Sequence, residues 1–154
     1  MFEPDETDRR LLIELQRDAS RPVAELAQTV GLSTSPAWRR IRRLEEEGFL
    51  TRTVALVDRQ RLGIGLVAFA MVSLSKHDPE SVAQFEEALR ASPEVQQAHA
   101  VTGEKDFIVQ LAIKDVEAYQ RFLAERLLPL TMIQSINTSF ALRVVKESTA
   151  LPIE

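Results

Sequence analysis

Leu26-Ala27-Gln28-Thr29-Val30-Gly31-Leu32-Ser33-Thr34-Ser35-Pro36-Ala37-Trp38-Arg39-Arg40-Ile41-Arg42-Arg43-Leu44 decides how the first third of this chain folds. A helix opening at Pro22 runs through Leu26, Ala27 and Val30 and stops at Gly31, which tolerates the left-handed conformation after a helix end. Ser33 caps a following helix, and Pro36 falls in its first turn, where no intrahelical donor is needed. Ala37, Ile41, Leu44 and Gly48 then share one face, and Gly48 ends the helix. Two helices joined by a tight Gly-Leu-Ser turn make a helix-turn-helix pattern.

The opposite face of the second helix carries Thr34, Ser35, Trp38, Arg39, Arg42 and Arg43. Hydroxyls at a helix N-terminus, with arginines along the body, suit a helix in the major groove of DNA. The N-terminus attracts phosphate, short hydroxyls reach base edges, and Arg forks onto phosphate or guanine. The competing reading is a solvated face paired through Arg42–Glu45, Arg42–Glu46 and Arg43–Glu47. Charge distribution favours DNA. The 154-residue chain has a net charge of −4, yet no acid lies between Glu25 and Glu45, and that interval holds Arg39, Arg40, Arg42 and Arg43. The acids gather at Asp5, Glu6 and Asp8 and at Glu45-Glu46-Glu47. One basic face on a mildly acidic protein is enough to bind a polyanion. The DNA-contact candidates are therefore Ser33, Thr34, Ser35, Trp38, Arg39, Arg40, Arg42 and Arg43. Trp38 also reads as a residue closing the small domain's core, and packing is the favoured role for it.

Upstream, Leu11, Leu12 and Leu15 mark a helix over about 5–18. Downstream, 51–62 reads as a short strand running into a linker, with Gly63-Ile64-Gly65 opening a second domain. The expected division is a helix-turn-helix domain at 1–50, a β-strand linker at 51–64 and a second domain at 65–154. In the latter, 66–74 is a strand apolar on both faces, and 80–91 is an amphipathic helix bracketed by Pro79 and Pro93. Strands at 95–102 and 107–113 form a hairpin around Gly103-Glu104-Lys105-Asp106. A helix through Val116, Tyr119, Phe122, Leu123 and Leu127 ends before Pro129, and a last strand covers 132–145. The order β-α-β-β-α-β predicts an α+β chain with a ferredoxin-like second domain, both helices on one face of an antiparallel sheet. The uncovered apolar face calls for a second copy of the chain, so a homodimer is expected.

Other chemistries are thinly supported. Cysteine is absent, which removes disulfides, thiolate zinc sites and thiol nucleophiles. His77 and His99 stand apart from any ligand cluster, so no metal is expected. Gly63-x-Gly65 precedes a strand, whereas a dinucleotide loop follows one, so no cofactor is expected. Ser139 lacks a histidine base, and no catalytic residue is assigned. The longest apolar run is Leu66 to Val72, too short to span a membrane, and the N-terminus is acidic where a secretory signal is basic. A cytoplasmic, nucleoid-associated protein without a membrane partner is the expectation.

Leu26-Ala27 through Val30-Gly31-Leu32-Ser33, with Arg40-Ile41-Arg42-Arg43-Leu44-Glu45-Glu46-Glu47-Gly48-Phe49-Leu50, resembles the Lrp/AsnC (feast/famine) transcription regulators. The stretch Thr7 to Asp18 is similar as well, as is Val101-Thr102-Gly103-Glu104-Lys105-Asp106 with Tyr119 downstream. The resemblance covers nearly the whole chain. It implies a winged or simple helix-turn-helix domain, a β-linker and a ferredoxin-like effector domain. It also implies duplex DNA and a small amino acid as partners, and homodimers assembled into octamers with the effector between dimers. By matching motif, the recognition helix is 33–47 and the effector loop is Gly103 to Asp106. The implied effector site comprises Ala100, Thr102, Gly103, Asp106, Val116, Phe140, Ala141 and Leu142. Gly-turn N–H groups would take the carboxylate, Asp106 the ammonium, and Ala100, Val116 and Leu142 the side chain. The tail from Thr138 to Pro152 looks like a branch that includes sensors of branched-chain amino acids or cysteine. Ala37 stands where many relatives carry Cys, and Glu104-Lys105 lies where the loop varies. The competing functions are an architectural DNA-binding protein without an effector and a ferredoxin-like enzyme with a helical appendage.

Overall fold

Asp5 and Asp8 start the first helix by bonding each other's main chain. Asp8 N–H donates to Asp5 Oδ1 at 2.8 Å, and Asp5 N–H donates to Asp8 Oδ2 at 3.2 Å. This capping box satisfies two of the donors that a helix start leaves open. The computed structural model describes residues 2–154. In it, α1 is Glu6–Arg17, α2 is Val23–Thr29 and α3 is Thr34–Glu46. Gly31 adopts φ +74° between α2 and α3, as the turn requires, and Leu32 N–H closes it onto Ala27 O at 2.8 Å. The helices bury Leu11, Leu26, Val30 and Ile41 together, with Leu15, Val23, Leu32 and Leu50 at the margin.

The second unit runs β1 (Leu66–Leu74), α4 (Pro79–Arg90), β2 (Val95–Ala100), β3 (Phe107–Ile113), α5 (Val116–Phe122) and β4 (Ile133–Phe140). Its strands form one four-stranded sheet in the order β2-β3-β1-β4, every pairing antiparallel. That is the expected ferredoxin-like arrangement. Asp78 and Asp115 cap α4 and α5 by accepting from Ser81 N and Ala118 N. Ala68, Ala70, Val72 and Leu74 of β1 meet Phe107, Val109, Leu111 and Ile113 of β3 and the helix residues Phe85, Leu89, Tyr119 and Phe122 in one core. The other sheet face presents Phe69, Met71 and Ile108.

Four details differ from the sequence reading. Residues 51–64 form no strand, because a ladder needs a hydrogen-bonded neighbour and none pairs with this segment in the single chain. Its Val54, Leu56 and Val57 are exposed. The last strand stops at Phe140, not 145: Ala68 pairs with Phe140, and beyond Ala141 N–H to Val67 O the partner strand runs out. The helix after Val116 is α-helical only to Phe122, and Leu123–Leu127 is a π turn. The unit boundary falls between Leu56 and Val57, and Lys146–Glu154 belongs with the N-terminal unit. Gln16 holds that tail, its amide oxygen and nitrogen bonding Leu151 N at 2.6 Å and Leu151 O at 3.3 Å.

Candidate nucleic-acid interface and effector loop

The four arginines of α3 divide by helical spacing. Arg39 and Arg42 are three apart on one ridge, Arg40 and Arg43 on the next. The second ridge faces α1. Arg40 Nη1 lies 2.7 Å from Asp5 Oδ2 and 2.8 Å from Asp8 Oδ1, and Arg43 Nη2 lies 3.0 Å from Asp8 Oδ2. The Arg43 guanidinium also sits 4.1 Å from the centre of the Phe2 ring. Asp8 is fully buried, so its charge is tolerable only because both oxygens are engaged by cations and the cap. The Asp8 N–H, then Arg40, hold the Asp5 carboxyl below its ordinary value. Asp8 first, then Asp5, raise the Arg40 guanidinium above its own. Arg40, expected among the DNA contacts, joins α3 to α1 in this structure. Arg43, expected on the outer face, is turned to the same carboxylate. The missed signal was local: acids three apart at a helix start form a capping box, and the second must point back into the helix pair.

The outer ridge is different. Ser33, Thr34, Ser35, Trp38, Arg39 and Arg42 are all exposed. Ser33 occupies the N-cap with extended backbone, yet its side chain makes no cap bond, leaving the hydroxyl free. Arg42 bonds Glu45 at 2.9 Å, one of the expected pairs, and its guanidinium lies 5.8 Å from the Trp38 ring centre. Trp38 is 53% exposed and does not close the core. Ala37, Ile41 and Leu44 fill that role, and Trp38 lies one residue round from Ala37.

In the sheet unit, Val101 N–H donates to Asp106 O, closing the β2–β3 hairpin, and Asp106 N–H donates to Val72 O on β1, each at 2.9 Å. Gly103 sits at φ +118°, open only to glycine. The Asp106 carboxylate is already occupied. Oδ2 accepts from Leu74 N at 2.7 Å, and Oδ1 lies 2.9 Å from His77 Nε2. The Leu74 N–H, then His77, hold its carboxyl below the ordinary value. His77, which the sequence leaves apart from any ligand cluster, is thus part of the hairpin's anchorage.

Sheet register divides the expected effector residues. Ala100, Thr102, Gly103 and Asp106 lie at the end where Phe107 pairs with Val72 and Val72 with Ile136. Phe140, Ala141 and Val116 lie at the other, where Ala68 pairs with Leu111 and Phe140. Four strand residues at about 3.3 Å each separate the two groups. Antiparallel geometry forces this, because the hairpin turn precedes β3 and α5 follows it. Tyr119 holds Phe140 edge-on at 5.2 Å between ring centres and hydrogen-bonds Thr138 through its hydroxyl. Leu142 is fully exposed. Among the described residues no group of His, Cys, Asp and Glu is placed to hold a metal, and no helix is long and apolar enough to cross a membrane.

A helix-turn-helix unit with an exposed cationic ridge, joined to a ferredoxin-like unit, defines a DNA-binding regulator with a separate sensing domain. The chain belongs to the Lrp/AsnC family of transcription regulators: residues 5–45 match the AsnC-type helix-turn-helix domain, and residues 67–151 match the Lrp/AsnC ligand binding domain. It is 34% identical over 97% of its length to the DNA-binding transcriptional activator DecR of Escherichia coli (strain K12), covering 99% of that protein. It is 35% identical over 97% of its length to the leucine-responsive regulatory protein of Klebsiella pneumoniae, covering 92% of that protein. A transcriptional regulator from Neisseria meningitidis, solved as an L-Met complex, superposes with a TM-score of 0.94 at 34% identity, covering 97% of each chain. These relatives are transcription regulators, not enzymes.

Proposed function

We propose that the chain regulates transcription by placing the Ser35–Trp38–Arg39–Arg42 ridge of α3 in the major groove, with Ser33 and Thr34 at the phosphate backbone. The observation that carries this reading is the split of α3. One arginine ridge is consumed by Asp5 and Asp8, and the other is exposed beside free hydroxyls. Arg40 and Arg43 orient the helix; Arg39 and Arg42 touch DNA. A dimer then presents two such helices to half-sites about one helical turn, ~10 bp, apart or a multiple of it.

The effector in this reading is a small amino acid, a class supported by the L-Met complex of the Neisseria regulator. The candidate residues lie at opposite sheet ends, so a site using both is completed by neighbouring copies. One supplies Ala100, Thr102, Gly103 and Asp106, and another supplies Val116, Phe140, Ala141 and Leu142. Asp106 acts here as the anchor of the loop, whose turn N–H groups face the ligand carboxylate. Apolar surface at Phe69, Met71 and Ile108, and along Val54, Leu56 and Val57, supports a homodimer; further assembly into an octamer, and action on the nucleoid in the cytoplasm, belong to the same reading.

Fluorescence anisotropy on a duplex from the gene's own promoter, repeated over a salt series and with each standard amino acid, tests both halves. Expected are tighter binding than to a scrambled duplex and a log–log salt slope of about −0.9 per phosphate neutralised. At least one amino acid should change affinity or, by light scattering, assembly mass. Equal affinity for both duplexes would overturn the DNA reading, and indifference to every amino acid would overturn the sensing reading.

A further inference from the structure

Trp38, Arg42 and Glu45 follow one another along α3 at spacings of four and three, so they share one side of the helix. Together they make a stack. The Arg42 guanidinium carbon lies 5.8 Å from the centre of the Trp38 ring, and Nη1 lies 2.9 Å from Glu45 Oε2. A guanidinium with a ring on one side and a carboxylate on the other loses much of its freedom to swing. Arg39, on the same exposed ridge, enters no salt bridge among the described residues. The two outer arginines therefore differ in preparation: one is aimed, the other is not.

Stability does not account for the stack. Glu45 stands in the last turn of α3, where the helix dipole disfavours an anion, and an exposed ion pair adds little to a fold. A carboxylate beside the DNA-facing ridge also repels phosphate. The chain's single tryptophan is 53% exposed among hydroxyls and arginines, where its ring covers no core. We propose that the stack is a base-reading device, an inference that rests on the placement of this ridge in the major groove. Arg42 forks onto guanine O6 and N7, Trp38 lies against the 5-methyl of a neighbouring thymine, and Glu45 is the positioning residue that keeps Arg42 off the phosphates. A guanidinium has five N–H donors, so the Glu45 contact leaves a fork available.

Anisotropy titrations of the full chain with three versions of the promoter duplex test this. One is native, one carries deoxyuridine for thymidine and lacks the 5-methyl, and one carries 7-deazadeoxyguanosine for deoxyguanosine and lacks N7. Wild type should bind the 7-deaza duplex about fivefold or more weakly, as loss of a good fork requires. It should bind the deoxyuridine duplex about threefold or more weakly, the worth of one buried methyl. The first penalty should shrink in Arg42→Ala and the second should vanish in Trp38→Ala. Glu45→Ala should bind a scrambled duplex more tightly and lose part of its promoter preference. Its log–log salt slope should steepen by about 0.9 per helix, because the released Arg42 moves to a phosphate. A residue that only braced the helix would shift the unfolding midpoint and leave that slope unchanged.

The proposal is overturned if wild type lacks either penalty, if either is undiminished in its variant, or if Glu45→Ala leaves slope and preference as they were. Any of these with wild-type preference for the promoter intact leaves the groove placement standing. Equal wild-type affinity for promoter and scrambled duplexes defeats both.

Discussion

Asp8 and Asp106 are two versions of one device in the two units of the chain. Each carboxylate accepts a main-chain N–H, Asp5 N in one case and Leu74 N in the other, and each spends its remaining capacity on cationic or potentially cationic side chains. The difference lies in partner and burial. Asp8 is fully buried and held by two arginines, charged at any working pH. The Asp106 side chain is 30% exposed and held by a histidine that is itself 63% exposed. The first is a permanent brace that aims α3. The second is a lighter fastening, placed on the hairpin that carries the expected effector loop.

The comparison breaks most easily at Asp8. Asp8→Ala strips partners from Arg40 and Arg43 and half of the capping box, so a loss of about 2–4 kcal/mol is expected in urea unfolding. A loss under about 0.5 kcal/mol, the range of ordinary surface changes, would mean that the brace is not structural. Next come the arginines. Arg39→Ala and Arg42→Ala should each cost about 1–3 kcal/mol of promoter affinity if they meet bases, or flatten the salt slope by about 0.9 if they meet phosphate. Both should leave the unfolding midpoint in place. Arg40→Ala should do the reverse, lowering the midpoint while preserving affinity at temperatures where it is folded. Parallel loss of affinity in Arg39 and Arg40 variants of equal stability would erase the distinction between the ridges.

The split of α3 was half legible in the sequence. Spacing alone assigns Arg39 and Arg42 to one ridge and Arg40 and Arg43 to the next, but which ridge is consumed depends on Asp8, 32 residues before Arg40. Helix order and the β-α-β-β-α-β succession were readable because apolar periodicity and capping residues are local. Long-range facts were not. The expected strand over 51–64 has the right residues but no neighbour in one chain. The last strand was read too long because Leu142, Val144 and Val145 continue its apolar texture past the point where β1 can pair. Trp38 was assigned to packing on residue type, yet a one-residue rotation from Ala37 puts it in solvent. His77 could not be joined to Asp106 from sequence, since the two meet only because β1 and β3 are adjacent.

Acid sensitivity sharpens the contrast on the Asp106 side. Its folded carboxyl lies below the ordinary value, chiefly through the Leu74 N–H and then His77. A group depressed on folding adds stability in full above its unfolded value, about 3.9, and loses it as pH falls through the folded value. Asp106→Ala should therefore be less stable than wild type at pH 7, and the gap should close as pH falls below about 4. Urea midpoints from pH 7 to pH 2.5 follow the closure. A gap that persists to pH 2.5 would assign the loss to packing instead of charge.

The smallest expected effect belongs to His77, and it decides whether the histidine is a partner of Asp106 or a bystander. A double-mutant cycle over His77→Ala and Asp106→Ala should give a coupling of about 0.2–1 kcal/mol, as exposed ion pairs do, and it should shrink with added salt. The same cycle at Arg40 and Asp8 should give a larger and less salt-dependent value, because burial of Asp8 removes water and counterions from the pair. If His77→Ala costs the same with and without Asp106, the 2.9 Å contact contributes nothing in solution. The Asp106 carboxylate would then be held by the Leu74 N–H alone, and the two devices would differ in kind as well as in strength.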